Sequence, residues 1–268
     1  MKTSTCTGMA ALAAVLFGAG AAVAQISGAV ITAEGRRIDG TIKWKVREKA
    51  YAITAKGGKV ELEMAPDSIK ELQIPRPAEL DTAIKNVQDG NAAAAIPALE
   101  KVANDYLMLQ WDKVATRLLA DAYVKAGEAD KAIRVCDKVI AANPEAAYLG
   151  EMAPAYWQAL LKAGRTSKAE DLVTKAIKSG DREASAFALI MRGDLILASG
   201  DTNEVAKKAL RDGFLRVVTL YKNVRTAQPE ALYKAAKCFE KLGQSQRADQ
   251  MRTSLKSEFS ASEWARKQ

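Results

Sequence analysis

Residues 113–144 read KVATRLLADAYVKAGEADKAIRVCDKVIAANP, from Lys113 to Pro144. The stretch resolves into two amphipathic helices joined by a tight turn. Leu118, Leu119, Ala122 and Tyr123 recur at helical spacing in the first. Gly127 ends it, because glycine accepts the left-handed backbone of a helix C-terminus without a Cβ clash. Ala132, Ile133, Cys136, Val139 and Ile140 form the apolar stripe of the second helix. Asn143-Pro144 stops it, since the residue before proline is pushed out of helical geometry. Neither helix buries its stripe alone, so the pair requires neighbours.

Working outward, the spacing recurs. Ala120, Tyr123, Gly127, Ala132 and Pro144 set a pattern of small residue, aromatic, turn glycine, small residue and terminal proline. Trp157, Leu160, Gly164, Ala169 and Asp181 repeat the offsets, with Trp at the small site and Asp at the proline site. Ala236, Phe239, Gly243, Ala248 and Ser260 repeat them again, and Gly193, Ile196, Gly200 and Val205 do so more weakly. Gly90 and Ala95 fit the turn and the second helix only. The last interval is longer, and Val205, Leu210, Phe214, Val217, Val218 and Tyr221 predict one extended helix over roughly 203–224. The pattern resembles the tetratricopeptide (TPR) signature. The resemblance covers roughly 79–259 and implies a mostly α fold: a TPR-like solenoid of about five helix pairs.

The N-terminus has a different character. Lys2 precedes an apolar run from Met9 to Val23, too short for a comfortable membrane span, and Ala22-Val23-Ala24 fits a small-x-small cleavage site. We therefore expect residues 1–24 to be a signal peptide, with the mature chain starting at Gln25 in the periplasm or outside the cell. The alternative is an uncleaved N-terminal anchor. Cys6 lies before the apolar run and not at the cleavage point, which argues against a lipid anchor. Removal leaves Cys136 and Cys238, both on or beside apolar stripes and far apart in repeat order, so they read as small core residues and not as a disulfide.

Residues 25–75 switch from helical to alternating periodicity. Short strands are predicted at 30–32, 41–46, 50–54, 60–64 and 69–74, separated by Glu34-Gly35, Asp39-Gly40, Gly57-Gly58 and Ala65-Pro66-Asp67. Ile42, Trp44 and Val46 alternate with Thr41, Lys43 and Lys45, giving one buried and one wet face. Such a segment is expected to form a small closed or nearly closed β-barrel domain. Gly35, Gly40 and Ile42 give it a resemblance to SH3-like or Sm-like barrels. Pro75-Arg76-Pro77 is a stiff connector; residues 76–78 form the linker, and 79–268 hold the helical repeats.

Composition excludes much chemistry. The chain has no histidine, which removes histidine-based nucleophile systems and the usual imidazole metal ligands. Gly57-Gly58-Lys59 is followed by Val60 and not by Ser or Thr, so it is a hairpin turn and not a phosphate-binding loop. Acids from Glu128 to Lys138 alternate with Lys and Arg, the pattern of a solvated face. No enzyme activity, cofactor or metal is expected. The formal net charge of +8 favours anionic surfaces such as envelope polymers only diffusely. The mixed charges of the β-segment read as solvation, and no nucleic-acid partner is expected.

The TPR resemblance implies a concave binding face built from the first helix of each pair. Its outward positions are Arg117, Asp121 and Lys125, then Gln158 and Lys162, then Asp194, then Tyr233, Lys237 and Lys241. The last three, at offsets of four and eight, fall on one side of one helix. They suggest a protein or peptide partner, acidic in character. Phe259, Ser262 and Trp264 add a likeness to TPR units of periplasmic coordinator proteins. The expected function is a non-enzymatic exported scaffold or adaptor of the bacterial cell envelope. The rival reading is a carbohydrate-binding or enzymatic accessory protein with its site in the β-domain.

Overall fold

The computed structural model describes residues 26–267. The expected signal peptide lies outside the described residues. Five strands come first: β1 (Ile26–Thr32), β2 (Arg37–Lys45), β3 (Ala50–Ala55), β4 (Glu61–Met64) and β5 (Ile69–Gln73). They form one antiparallel sheet in the order β4-β3-β2-β1-β5. Ile42 faces Ile53 and Trp44 faces Tyr51 across the β2–β3 ladder. Val30, Ile42, Trp44, Tyr51 and Ile53 are buried on one face. On the wet face Lys43 reaches Glu61 at 2.6 Å and Lys45 reaches it at 2.7 Å, passing over β3, where Ala52 is small. These lysines therefore neutralise local acids. The sheet remains open: among the described residues β4 and β5 are its two edges, and no ladder joins them.

Twelve helices follow among the described residues. The first six are α1 (Ala78–Gln88), α2 (Ala92–Asp105), α3 (Asp112–Lys125), α4 (Ala129–Ala142), α5 (Ala153–Lys162) and α6 (Thr166–Lys178). The remainder are α7 (Arg182–Ala198), α8 (Asn203–Ala209), α9 (Leu215–Leu220), α10 (Gln228–Lys241), α11 (Ser245–Phe259) and α12 (Glu263–Arg266). The pairs α1/α2, α3/α4, α5/α6, α7/α8–α9 and α10/α11 pack successively as a TPR-like solenoid, with α12 at the end. Gly127 has φ +79°, the left-handed value its turn requires. Ala132 is fully buried where α3 and α4 meet, and Cys136 and Cys238 are free, buried thiols.

Helix α7 is the hinge of the core. Ala184, Ala188, Met191 and Leu195 pack into the cluster that runs back to α1. Ala186, Leu189 and Ile190 pack into the second cluster, which runs forward to α11. A helix buried on both sides is apolar nearly all round, which explains the run Ala186 to Ile190.

Two expectations need correction here. The predicted helix over 203–224 is interrupted by a π turn at Leu210–Phe214 and ends at Leu220. The cause is a close crossing with α7. A Cβ on Gly213 would lie 2.8 Å from Gly193 Cα, and a Cβ on Gly193 would lie 2.4 Å from the Phe214 ring. Gly193 thus belongs to this contact. Gly200, unlike the other four expected turn glycines, is not among the residues with positive φ.

The sheet is joined to the repeats by the loop between α2 and α3. Leu109 is buried in the same cluster as Val30, Ile42, Trp44, Tyr51, Ile53 and Ile74. Tyr51 Oη donates to Met108 O (3.0 Å), Trp111 Nε1 donates to Ile74 O (3.0 Å) and Ile74 N donates to Gln110 Oε1 (3.4 Å). Asp112, itself buried, accepts from Met108 N at 2.8 Å. Met108 and Gln110 hold φ of 61° and 78°, unusual for residues with a Cβ. The docking contacts offset that strain. The connector is pinned as well: Arg76 pairs with Asp81 at 2.6 Å and lies 5.5 Å from the Trp111 ring.

Candidate functional site

The inner helices of successive pairs face a common concavity. Arg117, Asp121 and Lys125 stand four residues apart on α3 and project into it together. Glu151, Ala155 and Gln158 enter from α5 and the turn before it. Phe187, Met191 and Asp194 come from α7, and Glu230 and Lys234 from α10. Glu263, Trp264 and Lys267 at α12 wall one end. The open cleft measures about 660 Å³, within the range of peptide- or ligand-sized sites.

A charge network organises the α7–α10 side. Lys234 Nζ lies 2.6 Å from both Asp194 Oδ2 and Glu230 Oε1, and all three side chains are less than a quarter exposed. Burial raises the Asp194 carboxyl above its usual range. Lys234 opposes this and Glu230 adds to it. Burial alone would lower the Lys234 ammonium, but the two carboxylates outweigh it and raise it. Two acids sharing one cation leave a negative excess, so both directions agree. Burial also raises Asp121 despite Arg117 and Lys125, with Glu263 and Glu230 adding to the rise. Arg117 holds Asp121 and Glu151 only loosely, at 3.8 and 3.7 Å.

At the end wall, the Trp264 ring packs 5.3 Å from Tyr233, centroid to centroid. Lys267 Nζ lies 3.9 Å from the Trp264 ring and Lys234 Nζ 5.7 Å from it. Ser262 caps α12 by accepting from Ala265 N at 3.2 Å. The cap holds the short helix that carries Trp264.

The cleft therefore gathers Arg117, Asp121, Lys125, Gln158 and Asp194 of the expected set. Lys162, Tyr233, Lys237 and Lys241 do not line it. Tyr233 is covered by Trp264, Lys237 pairs with Glu240 at 3.2 Å, and Lys241 pairs with Asp201. Helix α12 packs against Tyr233 of the expected row, while α10 reaches the cleft through Glu230 and Lys234. Sequence reasoning missed that pair. The available signal was the 230/234 spacing of opposite charges on α10.

Two stretches match family models described as tetratricopeptide repeat, one over residues 86–153 and the other over 230–262. The helical array is TPR-like. No curated protein matches the chain. Similar solved structures include Podosopora anserina nearly identical TPR-like repeats at 18% identity and TM-score 0.42, covering 67% of this chain and 92% of that one. Another is MamA, residue 41 to the end, from Desulfovibrio magneticus RS-1, at 13% identity and TM-score 0.38, covering 70% and 99%. A third is PilW, a type IV pilus biogenesis factor, at 17% identity and TM-score 0.33, covering 70% and 96%. No described helix is long and apolar enough to cross a membrane.

Proposed function

We propose that this chain is a non-enzymatic scaffold or adaptor that holds an extended protein segment in its concave cleft, exported to the bacterial cell envelope. The observation that carries the reading is the cleft itself. Four inner helices from consecutive pairs, α3, α5, α7 and α10, contribute to one continuous surface, and α12 closes one end. TPR repeats are protein-interaction elements, and a long cleft suits an extended chain better than a compact small molecule. The partner-binding set is Arg117, Asp121, Lys125, Gln158 and Asp194, joined by Glu230 and Lys234. Export rests on the character of residues 1–24 in the sequence.

The sheet serves as a docked N-terminal cap on the solenoid. Its order, a β1–β4 meander with β5 crossing back to pair with β1 after a 3-10 turn at Pro66–Ser68, supports the SH3-like likeness. Its apolar face is filled by Leu109, which supports a structural role for the domain over a binding pocket.

A photocrosslinking residue placed at Gln158 and, separately, at Glu170 on α6 tests the reading in envelope extract. Glu170 is exposed and outside the cleft. The expected result is a discrete protein adduct from position 158 and none from position 170. Equal adducts, or none from position 158, overturn the groove as the binding surface.

A further inference from the structure

The cleft and the rest of the chain differ in sign. The chain carries +8 overall, whereas the cleft is lined by seven carboxylates and only four cations. Two of the four cations are committed to local acids, Arg117 is held only loosely, and Lys125 makes no ion pair among the described residues. Lys234 is shared by Asp194 and Glu230, and Lys267 pairs with Glu263 at 3.3 Å. Arg182, between two cleft acids, turns away: it donates to Leu220 O and Asn223 Oδ1 and lies 5.2 Å from the Tyr221 ring.

Those two acids keep neutral partners. Asp181 caps α7 by accepting from Ala184 N at 2.7 Å, and Glu183 accepts from Thr226 Oγ1 at 3.0 Å. Glu151 has only the loose contact with Arg117. Between the acids lies half-buried Phe187, with buried Met191 beside it. A surface of this kind takes side chains with an apolar stem and a cationic tip: the stem covers the aromatic ring and the tip reaches the rim carboxylates.

We propose that the occupant is an extended protein segment rich in lysine or arginine, with apolar residues between the charges. This rests on the scaffold reading above and names the chemistry of its partner. An acidic segment would bring like charges against the cleft acids, which is costly at an interface. The positive charge of the whole chain repels a cationic peptide at long range, so its capture requires the local field of the cleft. Trp264 then acts as an end stop: a bound segment runs from the α3 side and terminates against its ring.

The test uses the full chain and two fluorescein-labelled peptides, three repeats of Lys-Gly-Leu and three of Glu-Gly-Leu, followed by fluorescence anisotropy. The lysine peptide should saturate and the glutamate peptide should not. Added salt should weaken binding, because rim pairs are screened over about 8 Å at physiological ionic strength. The double variant Glu151→Lys with Glu183→Lys should weaken the lysine peptide about tenfold or more, and Glu170→Lys should leave it unchanged. Should the double reversal fail to fold by circular dichroism, Glu151→Gln with Glu183→Gln replaces it, with a smaller loss expected. Equal binding of both peptides, or lysine-peptide binding that survives the charge changes, overturns the inference. If neither peptide binds while Gln158 still crosslinks a protein, the cationic occupant is refuted and the scaffold stands. If Gln158 captures nothing from extract, the scaffold reading itself fails.

Discussion

The helical array meets the rest of its world at two places, and they are built oppositely. The loop between α2 and α3 meets the sheet with Leu109 buried and with Tyr51, Ile74 and Trp111 each finding a hydrogen-bond partner across the junction. The cleft faces outward with rim carboxylates held by loose or neutral contacts. Apart from the Trp44 indole N–H, which finds no acceptor among the described residues, the junction pairs its polar groups internally, as burial requires. A cleft whose carboxylates outnumber its cations has charge left unpaired by the fold. The contrast separates what the fold uses to stand from what it presents to a partner.

The largest effect should follow from breaking the junction. Leu109→Ala removes a fully buried side chain and should cost about 2–5 kcal/mol. Urea denaturation would show it, with the near-ultraviolet circular dichroism of Trp44 and Tyr51 lost at lower urea than the helical signal. Coincident loss of both signals with unchanged stability would mean that the sheet does not lean on the loop.

The next effect sharpens the other side. Lys234→Met leaves Asp194 and Glu230 without their shared cation. Removing one partner of a fully buried pair costs more, but these carboxylates keep some solvent contact, so about 2 kcal/mol is expected. The sign with pH is diagnostic. Asp194 already binds its proton more tightly in the fold than outside it, and losing Lys234 increases that difference. The deficit is therefore largest near neutral pH and shrinks as pH falls through the raised value. Thermal melts of the variant and the parent between pH 7 and pH 5 should converge.

A smaller effect returns to the junction. Burial, with Asp112 adding, pushes the Tyr51 hydroxyl up to about 12. The neutral phenol is the form the fold keeps, so its contribution is intact below pH 10 and is lost as pH rises towards 12. Tyr51→Phe should lose about 1 kcal/mol at neutral pH. Above pH 10 its stability should fall less steeply than that of the parent, read by urea midpoints at each pH. The smallest effect belongs to the two lysines of α10 that lie outside the cleft. Lys237→Ala with Lys241→Ala should leave melting within about 0.5 kcal/mol and leave adducts at Gln158 intact. Loss of the adducts would return that row to the binding surface.

These outcomes bear on what a sequence can disclose. The pairs around Gly127, Gly164 and Gly243 were legible because turn glycines and small crossing residues are local signals at a fixed spacing. Strand positions were legible for the same reason: Ile42 and Trp44 alternate with lysines within a few residues. The π turn was not, because its cause lies across a helix crossing, in the approach of Gly213 to Gly193. The apolar residues Tyr106 to Trp111 form no regular element, and nothing local says that they complete a sheet core. At the cleft, the α3 row faces the concavity as its four-residue spacing predicts. On α10 the position of Tyr233 depends on Trp264, 31 residues downstream, and no local pattern carries that contact.

The π turn also carries a meaning for length variation. It holds one residue more than an ordinary helical turn of the same rise. Removing a residue between Leu210 and Phe214 would restore regular winding with the two flanks still aligned, but it would re-aim the residues within the turn itself. Gly213 would leave its place opposite Gly193, and a larger neighbour would arrive where a Cβ already has no room. A single-residue gap at this position in a related chain is therefore a structural event, to be sought together with a change at 193.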